Sequence, residues 1–322
     1  MLTIDLGASK IAAGLVDKDM YLRETYIERT DVRGGEFVID QIRGIIRVLR
    51  ERLREDPLGV GITVPGIVDY NRNIVLHVPN IPKWYMLDIA TEISEWYKRL
   101  WGKEITVVLL DDRVAAVLGE AVAGVARGFR NIVSLIIGSG VGLGMIFDNK
   151  PYTGSFNVSG AIGWWLLNKE VVGETKKGFL EEELAGPYIE VEMKNLCRSY
   201  PEKCRYILYL SKGSIENITS EIIFRAYDEG DILTKTILTR KATILAITIA
   251  NIISLLAPDI VVLNGTIGVE LGKRFSGLLK SVVSEIINPY MRQYINITIS
   301  ELGFKANLIG AASYLIRKTQ IL

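Results

Sequence analysis

The sequence is short of the side chains that bind zinc. Its 322 residues include two cysteines, Cys197 and Cys204, and one histidine, His77. A four-ligand zinc site built from cysteine and histidine is therefore excluded. The two cysteines could pair, which is unusual in the cytosol of a mesophile but not in that of a hyperthermophile. Only three glutamines, beside many Ile, Glu, Arg and Lys, weakly favour a thermophilic source.

The chain also lacks an excess of charge of either sign. Its 38 basic and 37 acidic residues leave a formal net charge of +1, which gives no electrostatic basis for binding nucleic acid or an anionic membrane. The N-terminal MLTIDLG has an aspartate where a signal peptide is apolar, which predicts a cytoplasmic protein. Residues 242–257 are short for a membrane span and are predicted to form a buried core helix. The expected partner is a small molecule.

What the chain does have is glycine concentrated at one place. Residues 132–147, IVSLIIGSGVGLGMIF, are two apolar runs joined by glycines at positions 138, 140, 142 and 144. This pattern predicts two strands folded back on each other, and a glycine turn can bind phosphate by its backbone N–H groups. An ordinary hairpin is the commoner alternative. Leu143 excludes a dinucleotide-binding fingerprint, and the lack of a following Gly-Lys-Ser/Thr excludes a P-loop.

A second copy of this pattern lies at the N-terminus. Residues 2–17, LTIDLGASKIAAGLVD, repeat the order of apolar run, glycine turn and apolar run, and the turn contains Asp5, Ser9 and Lys10. The repeat indicates an internal duplication. It predicts an α/β protein of two domains with a cleft between them. We expect an N-terminal domain of residues 1–112, completed by a C-terminal helix at about 306–322, and a C-terminal domain of residues 113–305.

Two aspartates mark a junction between a strand and a helix. Residues 105–110 are typical of a buried strand and residues 113–124 of a helix, so Asp111 and Asp112 stand at the carboxyl end of the strand. An aspartate at this position either caps the helix by accepting bonds from backbone N–H groups or contributes to a site. The local sequence favours neither role over the other.

Six segments resemble, in order, the motifs of the ROK family (repressor, open reading frame, kinase), whose sugar kinases are glucokinase- and hexokinase-like members of the actin-like superfamily. They are DLGASK at 5–10 and IIGSGVGLG at 136–144 for phosphate, VGITVPGIVD at 60–69 with VPNIPKW at 78–84 for substrate, DD at 111–112 followed by LGE for catalysis, residues 262–267 for adenosine, and ANLIGAA at 306–312 for the terminal helix. The resemblance covers nearly the whole chain. It implies two actin-like (ribonuclease H-like) domains, ATP and Mg²⁺ as cofactors, and a homodimer.

The resemblance also implies roles for individual residues. Phosphoryl transfer depends mainly on positioning and charge neutralisation, and here Asp112 is the expected general base while Asp5 orients Mg²⁺ through water. The implied nucleotide and phosphate contacts are Asp5, Gly7, Ser9, Lys10, Gly138, Ser139, Gly140, Gly265 and Thr266. The implied substrate contacts are Gly66, Asn80, Asp111, Trp164 and Glu181. A surface lysine is the commoner role for Lys10, and Asn80 before Ile-Pro could simply close a turn.

Three departures from the family pattern concern the sugar. Asp111 replaces an Asn, and an ionised aspartate accepts hydrogen bonds but cannot donate them. Ala161-Ile162-Gly163-Trp164 replaces Glu-x-Gly-His, which removes a carboxylate and an imidazole. The cysteine-rich zinc motif is missing, so no structural zinc is expected. Such a site should not hold glucose in the usual way, and Trp164 could either stack on a sugar or fill space.

The sequence therefore predicts an ATP-dependent kinase that phosphorylates a hydroxyl of a sugar or sugar derivative. The alternative is a ROK protein that binds a sugar or nucleotide without turnover, as a regulator or a degenerate enzyme. Retained Asp5 and Asp112 favour the kinase, whereas the lost Glu and His favour the binding protein.

Overall fold

A computed structural model describes residues 1–53, 55–167, 175 and 177–319. The strands are β1 (Leu2–Leu6), β2 (Lys10–Val16), β3 (Leu22–Arg29), β4 (Val60–Val64), β5 (Ile67–Asp69), β6 (Ile74–His77), β7 (Tyr85–Leu87), β8 (Val107–Asp111), β9 (Ile132–Ile137), β10 (Val141–Phe147), β11 (Lys150–Pro151), β12 (Ile260–Asn264) and β13 (Ile297–Ile299). The helices are α1 (Glu36–Glu51), α2 (Ile89–Trp101), α3 (Asp112–Ala123), α4 (Phe179–Leu184), α5 (Gly186–Ser199), α6 (Arg205–Leu210), α7 (Ser220–Asp228), α8 (Ile232–Leu256), α9 (Gly265–Ile286) and α10 (Lys305–Thr319).

The contacts within the chain define two compact units. The first unit contains Met1–Ile132, Gly144–Gly160 and the chain from Glu301 onward, and the second contains Val133–Leu143 and Ala161–Ser300. The last three residues of the predicted terminal helix, 320–322, lie outside the described residues.

The first unit is built on a sheet with the strand order β3-β2-β1-β4-β8. β1 and β2 form the predicted antiparallel hairpin, and β1, β4 and β8 run parallel. β4 and β8 are entirely buried, which explains why their sequences are apolar apart from Thr63 and Asp111. β3 alternates between intermediate and exposed positions, as expected for an edge strand with one solvent-exposed face.

The second five-stranded sheet repeats this plan in the order β11-β10-β9-β12-β13. The second glycine turn joins β9 to β10, just as the first joins β1 to β2. β12 pairs with β13 in parallel, as β4 does with β8. The duplication predicted from the two glycine turns is therefore present in the topology of both sheets. A smaller sheet, β5-β6-β7, adds the segment that contains the predicted substrate loops.

Helix α3 belongs to the first unit because it packs tightly on α10. A Cβ added at Gly119 would lie 2.1 Å from the carbonyl oxygen of Ala306, and one added at Gly310 would lie 1.8 Å from that of Ala115. Only glycine allows the two helices to approach this closely. The division in the structure therefore differs from the boundary expected after Asp112, and it leaves residues 113–132 with the first unit.

Helix α8 begins ten residues before the predicted apolar stretch. Among the described residues it is the one helix that is long and apolar enough to cross a membrane. Leu245, Ala246 and Ile249 are fully buried in the chain itself. Lys241 is also buried, with its ammonium 2.9 Å from Glu183 and 2.8 Å from Glu192. This burial is what a core helix requires.

The pairing of the cysteines, left open by the sequence, is decided by the structure. Cys197 near the end of α5 and Cys204 just before α6 form a disulfide, with Cα atoms 5.5 Å apart. Both residues are fully buried.

Candidate active site

The first carboxylate of the site is Asp5, next to last in β1. Because β1 and β4 pair in parallel with Asp5 opposite Thr63, the Thr63 hydroxyl donates a hydrogen bond to Asp5 Oδ1. Asn307 Nδ2, from the first turn of α10, donates to the same oxygen at 3.0 Å. Burial raises the pKa of Asp5, and these two bonds and Lys10 oppose the rise. The carboxylate is thus held in place by two neutral donors.

The turn after Asp5 is fixed at its ends and open at its tip. Gly7 N–H donates to the Lys10 carbonyl at 2.9 Å, and the Thr30 hydroxyl donates to the Gly7 carbonyl at 2.6 Å. Ser9 and Lys10 are exposed, and the Lys10 ammonium lies 5.7 Å from the centre of the Phe304 ring. A glycine turn with exposed residues at its tip and an adjacent cation is suited to bind phosphate.

Asp111 and Asp112 have different environments. Asp111 is 2% exposed, and its Oδ1 accepts from the N–H groups of Arg113 and Val114, both at 3.0 Å. Its Oδ2 accepts from the Tyr70 hydroxyl at 2.7 Å. The capping role considered for both aspartates therefore belongs to Asp111. These contacts support a role in positioning its neighbour, whereas its predicted sugar contact stays a prediction.

Asp112 is the first residue of α3, directly after this cap. Burial and the negative charge of Asp111 raise its pKa to about 7, although Arg113 acts in the opposite direction. Arg113 stays close to Asp111, with Nε 3.2 Å from Oδ1, and its Nη1 donates to the Ser159 carbonyl at 3.1 Å. A carboxylate with a pKa near neutrality is well matched to proton transfer at physiological pH.

Tyr70 is a residue that the sequence analysis missed. It lies just after β5, where its ring makes an edge contact with Tyr314 at 5.9 Å between centroids. Burial raises its pKa well above the usual value, so it remains a hydrogen-bond donor to Asp111. No local pattern marks this tyrosine, because its partner lies 41 positions later.

The two predicted substrate residues of the first unit differ in character. A Cβ at Gly66 would lie 2.1 Å from the His77 carbonyl oxygen, so glycine is required there by packing between the β5 and β6 segments. Asn80 is exposed in the proline-rich loop before β7. Their sugar contacts stay predictions.

The predicted phosphate and adenosine residues of the second unit lie together. Gly186 N–H donates to the Gly138 carbonyl at 2.9 Å, and the Thr266 hydroxyl lies 3.9 Å from the point where Gly138 would have a Cβ. Gly265 has φ of +75°, and a Cβ there would lie 2.3 Å from the Ile137 carbonyl oxygen. Ser139 is exposed at the tip of the turn. The start of α9 is thereby brought beside the turn, and a helix N-terminus favours anions.

A cavity of about 620 Å³ opens from this turn into the second unit. Besides Gly138, Ser139 and Thr266, it is lined by residues of α5, α7 and α9 and the residue before α7, which the sequence analysis did not single out. They include Glu190, Thr219, Ser220, Glu221, Phe224, Arg225, Asp228, Glu270 and Arg274. Its volume is that of a typical small-molecule site.

The family match decides the identity of the fold. Residues 1–318 match the ROK family. The chain belongs to the ROK family. It is 29% identical to the glucokinase of Thermotoga maritima over 97% of this chain and 96% of that protein. The predicted family and its α/β fold class are confirmed.

Two further comparisons show what kinds of ROK protein are similar. A ROK glucokinase from Streptomyces griseus, solved in complex with glucose and AMPPNP, is 26% identical, with a TM-score of 0.82 and 98% of each chain covered. A xylose repressor from Caldicellulosiruptor bescii is 24% identical over 98% of this chain and 78% of its own length. Similarity within the ROK family thus includes both kinases and regulators.

In this ROK protein Glu181, a predicted sugar contact, lies against the second glycine turn. Its Oε2 accepts from Val141 N–H at 3.0 Å, and a Cβ at Gly140 would lie 2.9 Å from the same oxygen. Burial raises the pKa of Glu181. Trp164 is 56% exposed in a short 3₁₀ turn, so it does not fill a core space. The sugar-binding roles of both residues stay predictions.

The surroundings of Asp5 bear on the expected Mg²⁺. The described residues contain no group of three or more His, Cys, Asp and Glu side chains that could hold a metal by themselves. Mg²⁺ commonly keeps several waters and uses one or two carboxylates with substrate phosphates. Asp5, a fixed carboxylate beside a phosphate-type turn, fits that mode of binding.

Proposed function

We propose that this ROK protein transfers the γ-phosphoryl group of ATP to a hydroxyl of a sugar or sugar derivative. The supporting observation is that two adjacent aspartates have different environments. Asp111 is engaged by the helix N-terminus, Tyr70 and Arg113, while Asp112 has a pKa raised to about 7. Asp112 is therefore suited to act as a general base.

In the proposed reaction Asp112 accepts the proton of the attacking hydroxyl. The hydroxyl oxygen forms a bond to the γ-phosphorus as the bond between that phosphorus and the leaving ADP oxygen breaks. Asp5 would hold Mg²⁺ through water, and the ion would neutralise charge on the phosphates. The phosphate contacts proposed for the first unit are the N–H groups of its glycine turn with Ser9, and those proposed for the second unit are the N–H groups of its turn with Ser139 and Thr266. General-base catalysis contributes about 10²- to 10⁴-fold to the rate.

The comparisons support a sugar as the acceptor. Relatives similar over almost the whole chain are glucokinases, and one similar structure contains glucose and AMPPNP. Ala161 and Trp164 replace two polar sugar contacts of the family. We therefore propose an acceptor whose polar groups differ from those of glucose. Cytoplasmic location, a homodimer and a thermophilic source remain expectations from the sequence.

The second candidate is a ROK protein that binds a sugar or nucleotide without turnover. The same replacements at positions 161 and 164 favour it, and xylose repressors are similar over 98% of this chain. The Asp5 and Asp112 arrangements favour the kinase instead, because a binding protein needs no base with a pKa near 7.

The test is ADP release from ATP and Mg²⁺ over hexoses, N-acetylhexosamines, sugar acids and polyols, at raised temperature. The kinase proposal predicts turnover with one class, and a loss of at least about 10²-fold in Asp112→Ala. Asp19→Ala, which changes an exposed aspartate of the same unit, is the matched control and should keep full activity. ATP binding without turnover on any acceptor would favour the binding protein.

A further inference from the structure

Arg113, the second residue of α3, has a guanidinium group that is fixed beside the two aspartates. Its side chain is 14% exposed, and its Nε donates to Asp111 Oδ1 at 3.2 Å. Burial lowers the pKa of Arg113, but the carboxylates of Asp111 and Asp112 outweigh burial and raise the pKa above its ordinary value. Arg113 therefore keeps a positive charge next to the proposed general base.

A loop of the first unit holds the other side of this guanidinium. The Arg113 Nη1 donates to the Ser159 carbonyl at 3.1 Å. Ser159 is itself fixed by two bonds, since its N–H donates to the Thr153 carbonyl at 3.0 Å and its hydroxyl donates to the Tyr152 carbonyl at 3.1 Å. Contacts from the start of a helix and from a loop thus fix the plane of the guanidinium, so that little further ordering is needed when it binds a ligand.

These contacts leave part of the guanidinium unused. An arginine side chain has five N–H donors, and Arg113 uses one on Nε and one on Nη1. Its Nη2 donates no hydrogen bond to the part of the chain that the structure describes. In that same part, the side-chain atoms that are both buried and unpaired are Arg43 Nε and Ser134 Oγ. The Arg113 Nη2 is therefore accessible to solvent, with both of its N–H groups free.

A free guanidinium edge at this place favours a carboxylate as its ligand. The planar fork of arginine matches the oxygens of a carboxylate or a phosphate. The charges of Asp111 and Asp112 would repel the two negative charges of a phosphate monoester more strongly than the single charge of a carboxylate. The sugar motif also has Ala161 in place of the glutamate of the family pattern, so one negative charge is missing from it.

We propose that the acceptor is a sugar acid and that Arg113 binds its carboxylate through Nη2, as a specificity-determining residue. The inference rests on the proposed kinase function and names its class of substrate. Arg113 directly follows Asp112 in the chain. A hydroxyl a few carbon atoms away from the bound carboxylate would therefore lie near the proposed base, whereas a neutral hexose has no group that uses the charge of Arg113.

The test measures binding by calorimetry at neutral pH, without nucleotide, for pairs of ligands that differ in charge. Gluconate and glucuronate are each compared with the corresponding neutral amide, and glucose 6-phosphate is a third anion. The wild type should bind at least one of the acids about 10- to 100-fold more tightly than its amide, which is the effect of a hydrogen bond between charged groups. Glucose 6-phosphate should bind more weakly than that acid.

Two variants separate recognition of the acid from positioning of the aspartates. Arg113→Gln removes the charge, so it should weaken binding of the acid by about 10- to 100-fold and change binding of the amide by less than about threefold. Arg113→Lys keeps the charge without the planar fork, so its loss should be smaller. Arg23→Gln is the matched control, because Arg23 is an exposed arginine of the same unit that also pairs with an aspartate, Asp17. It should change neither dissociation constant.

The melting temperature of each variant checks its fold, and Arg113→Lys with the wild-type pairs decides the test if Arg113→Gln does not fold. Equal binding of acid and amide by the wild type, or tighter binding of glucose 6-phosphate, would overturn the inference. An equal loss for acid and amide in Arg113→Gln would also overturn it, because Arg113 would then act by positioning alone. Binding is measured apart from turnover, so an acid that binds as expected but is not phosphorylated would contradict only the proposed kinase function.

Discussion

Asn307 of α10 donates a hydrogen bond of 3.0 Å to the carboxylate of Asp5, although 302 positions separate the two residues. The C-terminal helix therefore helps to fix the carboxylate that precedes the first glycine turn. Its amide fixes one oxygen of a carboxylate whose pKa burial raises, without bringing a competing charge.

Replacing Asn307 by alanine should weaken both the fold and the use of Mg²⁺. A hydrogen bond to a charged group contributes about 1.5–3 kcal/mol, so we expect the free energy of unfolding to fall by about 1–2 kcal/mol. The Mg²⁺ concentration for half-maximal activity should rise by about tenfold, while the KM for the sugar stays constant. Urea denaturation and a Mg²⁺ titration measure these effects. Lys305→Ala, an exposed change in the same turn, should alter neither.

Activity should depend on pH through Asp112. Its pKa is about 7, and only the ionised form can accept a proton. We therefore expect kcat/KM to fall as the pH is lowered through about 7, with one ionisation. A profile that stays flat down to pH 5 would contradict the role of Asp112 as base.

The same carboxylate should reduce stability as the pH rises. Its pKa is raised in the folded protein, so between pH 4 and about 7 the folded state keeps a proton that the unfolded state has lost. Stability from this group is greatest below pH 4 and declines across that window. Asp112→Asn should thus be more stable than the wild type at pH 8 and nearly equal to it at pH 4, as measured by chemical denaturation. A variant that is less stable at pH 8 would refute the assignment.

Changing Asp111 to asparagine should shift the acid limb of the pH profile, which is the range in which kcat/KM falls as the pH is lowered. The negative charge of Asp111 contributes to the raised pKa of Asp112, so its removal should move the limb about one pH unit lower. Asparagine also caps helices well, so α3 should persist and the melting temperature should change little. Tyr70→Phe is the control: it keeps the charge, so its limb should not move even if kcat falls.

Opening the Cys197–Cys204 disulfide should lower stability without changing catalysis. The bridge closes a loop between residues seven positions apart, and the loop-entropy relation gives about 2.5 kcal/mol for a loop of this size. The Cys197→Ser and Cys204→Ser double variant should therefore unfold at lower denaturant concentration. Its kinetic constants should match the wild type, and a reductant should have no further effect on it.

The sequence by itself determined the features that depend on neighbouring residues. The hydrophobic runs predicted the strands of both glycine hairpins, the strand before Asp112 and helix α3 to within a few residues, because burial imposes a periodicity that local sequence preserves. Helix α8 is longer than predicted and begins ten residues earlier. The glycines predicted both turns, and the two turns predicted the duplication of the sheets. The position of Asp111 and Asp112 followed from the change from an apolar strand to a helical pattern.

Only the tertiary structure decided which side chains meet. In the structure Asp111 caps helix α3, and Asp112 next to it has a raised pKa. Asn307 forms a hydrogen bond with Asp5. The fold set Glu181 against the second glycine turn, and it paired Cys197 with Cys204 where the sequence left that open. The contacts of Asn307 with Asp5 and of Glu181 with the second glycine turn join residues far apart in the chain, and they exist because sheet pairing and helix packing bring those residues together. The residues next to a side chain in the sequence do not indicate a partner that lies far away in the chain. These parts of the site could therefore not be predicted from the sequence.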